Sequence, residues 1–146
     1  MQIEKLPFST INAGEFKTSY LFLNLFIVPS WFPTKLHPEF GTFFRDRAQI
    51  LSRGGFDITV ISPIQHSLWD FFRYKPSPEV WKQENQVTVL QKETINHYPK
   101  FERLAFRSYQ TLSVNLLKRA IHQRGKPDIV YIHSSLWAGA ALGSFL

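Results

Sequence analysis

The sequence predicts an α/β chain, doubly wound around a mainly parallel sheet. Three observations carry that expectation. Strand-like and helix-like stretches alternate along the chain. The first strand-like run, "LFLNLFIV" (21–28), is apolar almost without interruption, as suits a parallel strand buried on both faces. Phe101, Ala105, Tyr109, Leu112, Leu116 and Ala120 recur at helical spacing through 101–125.

The bulk composition is globular, with 44% apolar and 19% charged residues over 146 positions. A formal net charge of +6 favours anionic partners without choosing among them. Cysteine is absent, so disulfides and thiolate metal sites are excluded.

In chain order, residues 1–19 read as a polar lead-in, outside a domain that spans 20–146. The apolar run 20–32 is interrupted by Asn24 and Ser30 and stays well short of the roughly 20 residues that span a bilayer. Glu4 and Glu15 precede it and no small-residue cleavage site follows, so it is not read as a signal peptide. It is read as the first strand. A proline-bearing loop, 29–41, then leads to a helix over 42–53, with Thr42 as N-cap and Gly54–Gly55 at its end. "FDITVIS" (56–62) is a second strand, stopped by Pro63. Residues 64–86 carry the least regular pattern, with a short helix over 67–74 and a turn over 75–79. "QVTVLQ" (86–91) gives a third strand, 101–125 a long helix ended by Gly125 and Pro127, 128–133 a fourth strand, and 135–146 the start of another helix.

The loop 29–41 is longer than the roughly six residues that a strand-to-helix connection needs. It leaves the carboxyl edge of the sheet, where open α/β sheets bind ligands, and delivers Gly41 to a helix amino end. Two readings of Gly41 stay open: a backbone that lets a phosphate approach, or a turn into the helix. The chain has neither a GxGxxG nor a Walker A lysine motif, which argues against dehydrogenase and P-loop classes. His133 ends the fourth strand at the same edge, either to contact a substrate or to close the strand. Ser134 and Ser135 are read as caps of the last helix. His37, His66, His97 and His122 lack metal-ligand spacing and are read as surface residues. Arg103, Arg107, Lys118, Arg119, Arg124 and Lys126 line the long helix, as a solvated face or as a face for an anionic membrane. No nucleic-acid module is recognisable, and no nucleic-acid partner is expected.

Taken together, three stretches resemble the N-terminal domain of family 4 (group 1) glycosyltransferases, which have the B-type fold of two Rossmann domains. They are "LFIVPSWFPTKLHPEFGTFFRDRAQILSRGGFDITVISP" (25–63), "VTVLQKETINHYP" (87–99) and "KPDIVYIHSSLWAGAALGSFL" (126–146). The resemblance implies a Rossmann-like acceptor-side domain, the incomplete first half of an enzyme of polysaccharide biosynthesis. Such an enzyme moves a sugar, with retention, from a nucleotide-sugar donor to a glycan or lipid-linked acceptor. It implies no cofactor and no metal. Gly41 and Thr42 would lie by the donor diphosphate, and His133 by the transferred sugar. Trp31, Pro38 and Glu39 would border the acceptor. Phe40 stands where the family often has the first of two glycines. The resemblance also implies a missing C-terminal domain, an inactive isolated chain, and a cytoplasmic place, peripheral on the inner face of the membrane. The alternative, from another class, is a non-catalytic α/β module that holds a small anion or a partner at the same edge.

Overall fold

The computed structural model describes residues 23–143 and 145. The expected lead-in 1–19, the start of the first strand at 20–22, and positions 144 and 146 of the last helix lie outside the described residues.

Five strands form one mixed, mostly parallel sheet. In chain order the elements are β1 (Asn24–Val28), α1 (Thr42–Arg53), β2 (Asp57–His66), β3 (Val80–Glu84), β4 (Val87–Ile95), α2 (Glu102–Arg124), β5 (Ile129–Ile132) and α3 (Ala140–Leu142). The strand order is β3-β4-β2-β1-β5. β4, β2, β1 and β5 run parallel, and β3 pairs antiparallel with β4 at the edge. From β1 the chain therefore builds outward to β2 and β4, then returns to place β5 on the other side of β1. The order reverses between β1 and β5, the point where parallel sheets open a crevice at their carboxyl ends.

β1 is central, which explains its continuous apolarity. Its alternate side chains enter two separate cores. Leu25 and Ile27 pack with Phe44 and Ala48 of α1 and with Ile58, Val60 and Val89. Phe26 and Val28 pack with Leu112, Leu116, Leu117 and Ala120 of α2 and with Ile61 and Leu90. The two long helices thus cover opposite faces of the sheet. Asn24 anchors the start of β1. Its N–H donates to Asp128 Oδ2 at 2.8 Å, and its amide donates to the carbonyls of Arg124 and Lys126.

Four local expectations are corrected. Thr42 does not cap α1: the N-cap is Gly41, in the left-handed region, with no side-chain cap bond. Pro63 does not stop β2, which continues to His66. β1 pairs with β2 only as far as Val60, so beyond it β2 is paired on one side, and a proline is tolerated at such an edge. The irregular 64–86 segment contains the unforeseen strand β3, and its expected short helix is only a 3-10 turn, Asp70–Phe72. Finally, the segment after β5 is a π-helical turn, Ser135–Gly139, followed by the short α3. Ser134 contributes its carbonyl, which accepts from the Gly139 N–H at 2.8 Å.

β3 and β4 are joined by Asn85 and Gln86, both at positive φ (45° and 69°). Two such residues make the hairpin turn whose twist matches the strands, and the second position favours glycine. Gln86→Gly is expected to stabilise the fold by about 0.5–1 kcal/mol, because glycine relieves the left-handed strain. Urea denaturation of the two proteins checks it.

Among the described residues no helix is long and apolar enough to cross a membrane.

Candidate functional site

A cleft of about 780 Å³ opens at the carboxyl edge of the sheet. Its walls come from the loop after β1, the end of β2, the residue just past β4, the first residues after β5, and Tyr109 of α2. The topology dictates this place, since every parallel strand ends there.

His133 sits at the switch point between β1 and β5. Its N–H donates to the Val28 carbonyl at 2.9 Å, which extends the β1–β5 ladder by one bond. The Ser30 hydroxyl donates to the His133 carbonyl at 2.6 Å and lies 3.3 Å from its Nδ1. A hydroxyl has one proton to give. With that proton on the carbonyl, Nδ1–H must be the donor of the second contact. This leaves Nε2 as the acceptor. The ring stands edge-on against Phe44 of α1, with centroids 4.3 Å apart. The imidazole is therefore held from two sides, by the loop after β1 through Ser30 and by the first turn of α1 through Phe44.

Gly41 reaches the same region, by a different role for its missing side chain. Its φ is +72°, and a Cβ there would overlap the Trp31 carbonyl oxygen and lie 2.6 Å from the Trp31 carbonyl carbon. The glycine lets the two ends of the long loop close on each other. The space a side chain would need is filled by the chain itself. Among the described residues nothing accepts from the N–H groups of Thr42 and Phe43, which begin α1. Trp31 is 61% exposed and lines the cleft. Thr42 is half-buried, and Pro38 and Glu39 are exposed; none of these three lines the cleft. Glu39 instead lies 3.9 Å from His37. The structure thus gathers His133, Trp31 and the Gly41 turn around one crevice, with Pro38 and Glu39 on the outer side of the loop.

Two histidines depart from the surface expectation. His37 lines the cleft and stacks on Phe40 at 4.6 Å. His66 is buried at the cleft floor, where Nε2 lies 3.0 Å from Glu93 Oε2, with both side chains at most 4% exposed. Glu93 also accepts from the Ser77 N–H and from the Gln91 amide. Gln91 in turn donates to the Pro33 carbonyl at 3.2 Å and accepts from Lys82. This polar chain ties the long loop to the sheet beneath it. His66 Nδ1 has no bonded partner among the described residues. His97 and His122 are exposed, as expected. The signal for His66 was present but faint: Gln91 and Glu93 fall on the same face of their strand as the apolar Val87, Val89 and Ile95.

Two other cleft residues have displaced titrations. Hydrogen bonds from the Ser67 hydroxyl hold the Asp70 carboxyl below its usual range, aided by the Ser67 N–H. Burial pushes the Tyr109 phenol up. Its neutral form is the one the fold favours. Below about pH 10 the phenol is neutral in both states and the fold keeps its full stability; as pH rises through the raised value that stability fades. Tyr109→Phe is expected to remove that alkaline loss while leaving neutral-pH stability almost unchanged. Denaturation midpoints at neutral pH and above pH 10 check it.

No protein-family model matches the chain, and no curated protein matches it at a significant level. What the fold and cleft define is a class: an α/β chain with a ligand-sized crevice at the switch point of its sheet.

Proposed function

We propose that this chain is the doubly wound, Rossmann-like acceptor-side part of a two-domain retaining glycosyltransferase. Its substrates are a nucleotide-sugar and a glycan or lipid-linked acceptor. The observation that carries the reading is His133. It stands at the sheet's switch point, with Ser30 engaging its Nδ1–H and leaving Nε2 to accept from a hydroxyl. Such a fixed acceptor orients one hydroxyl of the transferred sugar beside the reacting carbon. The amino end of α1, a few ångströms away through Phe44, offers N–H groups and the positive end of a helix dipole to the departing diphosphate. In the transfer the bond from sugar to diphosphate breaks, with its electron pair leaving on phosphate. The acceptor oxygen bonds the sugar carbon, and its proton passes to the departing phosphate. Trp31 supplies an exposed aromatic face for the acceptor ring. The partner domain would hold the nucleotide.

The test first reads the coding sequence after residue 146, which this reading expects to continue into a second α/β domain, and then measures sugar transfer by the chain joined to that domain. His133→Ala is expected to lower kcat by about a hundredfold or more, the scale of one lost polar group in a preorganised site. His97→Ala, an exposed histidine outside the cleft, is expected to change nothing. Equal activity of the His133 variant removes the proposed role. Transfer at an ordinary rate by the isolated chain removes the two-domain account.

One observation favours the second reading, a non-catalytic module, in the form of an interaction module rather than an anion-binding one. Trp31 already fills the side of Gly41 that a phosphate would approach. Absence of both sugar transfer and nucleoside diphosphate binding in the full-length protein would decide for it.

A further inference from the structure

The basic residues of α2 divide into two groups. Toward its carboxyl end, Arg119 pairs with Glu79 at 2.9 Å and Arg124 pairs with Asp57. These are structural ties that hold the helix against neighbouring chain. Toward its amino end the picture changes. Among the described residues no carboxylate pairs with Lys100, Arg103 or Arg107, nor with Arg73 and Lys75 across the edge. Beside these cations lie large apolar side chains in the open. Trp69 is 82% exposed, Phe72 78%, Phe101 64%, Tyr98 43% and Leu104 42%. Helical spacing places Phe101 at the start of the buried stripe of α2, yet it faces solvent.

The two segments share one rim. β2 and β4 pair in parallel up to His66 and Ile95, and the Asn96 N–H donates to the His66 carbonyl at 2.9 Å. The chain therefore leaves two neighbouring strands side by side, and Ser67, Asp70 and Asn96 line the same cleft. Five cations stand against Asp70 and Glu102 on these segments, and the Ser67 hydroxyl already engages the Asp70 carboxylate. Exposed aromatics ringed by unpaired cations match a surface that is apolar within and anionic at its face.

We infer that this rim, built from residues 67–75 and 97–107, docks on an anionic lipid bilayer. Trp69, Phe72 and Phe101 enter the headgroup boundary, and Arg73, Lys100, Arg103 and Arg107 lie over the lipid phosphates. The inference does not depend on sugar transfer, although it sets the cleft mouth close to the bilayer.

The experiment is co-sedimentation of the full chain with phosphatidylcholine vesicles, with and without phosphatidylglycerol, at low and high salt. Binding is expected only to the anionic vesicles and is expected to weaken with salt. Arg103→Gln with Arg107→Gln lowers the partition coefficient about 30-fold, at about fivefold per cation. Trp69→Ser or Phe101→Ser lowers it about tenfold through lost apolar insertion. Arg53→Gln with Lys126→Gln removes the same net charge outside the rim and is expected to leave binding nearly intact. Circular dichroism checks that each variant is folded. The inference is overturned by absence of binding to anionic vesicles, by equal binding to neutral ones, or by equal losses in the two charge variants. It is also overturned if Trp69→Ser abolishes self-association in the absence of lipid, since the rim is then a contact between copies.

Discussion

Gly41→Val is expected to destabilise the protein by about 4 kcal/mol, near the upper end of single-substitution effects. Two causes combine. The left-handed backbone disfavours a β-branched residue. The greater cost comes from the overlap of any Cβ with the Trp31 carbonyl, because the obstacle is backbone and cannot swing aside. The protein contains its own control. Asn85, Gln86 and Ser134 all adopt positive φ without being glycine, so that conformation alone does not demand one. Gly41→Asn separates the two causes. Asparagine tolerates the left-handed region, so backbone strain alone predicts a small cost, whereas overlap predicts a loss close to that of Gly41→Ala. Urea denaturation of the three variants distinguishes them, and a well-tolerated asparagine would remove the overlap argument. The result also governs how activity at this position is read. Lost turnover in Gly41→Val reports phosphate binding only if the variant remains folded.

The second large effect concerns the cleft floor. His66→Leu is expected to cost about 3–5 kcal/mol, because it strands the Glu93 carboxylate in a buried site without its main donor. Glu93→Gln keeps an acceptor toward the ring and the Ser77 N–H, so its cost is expected near 1 kcal/mol. Replacing both His66 and Glu93 by leucine is expected to cost less than the two single leucine changes added together. Chemical denaturation at neutral pH measures the cycle. Additive single costs would show that the pair acts as two unrelated polar groups. Because Gln91 joins Glu93 to the Pro33 carbonyl, the destabilised variants are also expected to loosen the loop, visible as faster amide exchange around 31–40.

Much of the frame was legible because it rests on local pattern. The unbroken apolarity around 24–28 marks a strand covered on both sides, and both long helices begin and end within a residue of where their periodicity and glycines place them. Local pattern failed where distant chain decides. The hairpin turn lacks the glycine that usually announces it, so β3 was missed. Pro63 reads as a stop until it is known that β1 has already parted from β2. Phe101 fits the helical stripe by spacing, but it precedes the first turn of α2 and lies 64% exposed, outside both cores. His66 reads as a surface histidine until its partner arrives from 27 residues away.

By itself the sequence determined the alternation of strands and helices, the central place of β1, the long first crossover, and a histidine at the carboxyl edge. These follow from periodicity and capping, which act within a turn or two of chain. Only the tertiary structure decided what the singled-out residues do. It pressed Gly41 against Trp31, set His133 on Ser30 across 103 residues, and buried His66 on Glu93. The physical reason is common to all three. Sterics, tautomer choice and burial depend on which atoms lie within a few ångströms, and strand order sets that proximity, which no window of sequence contains.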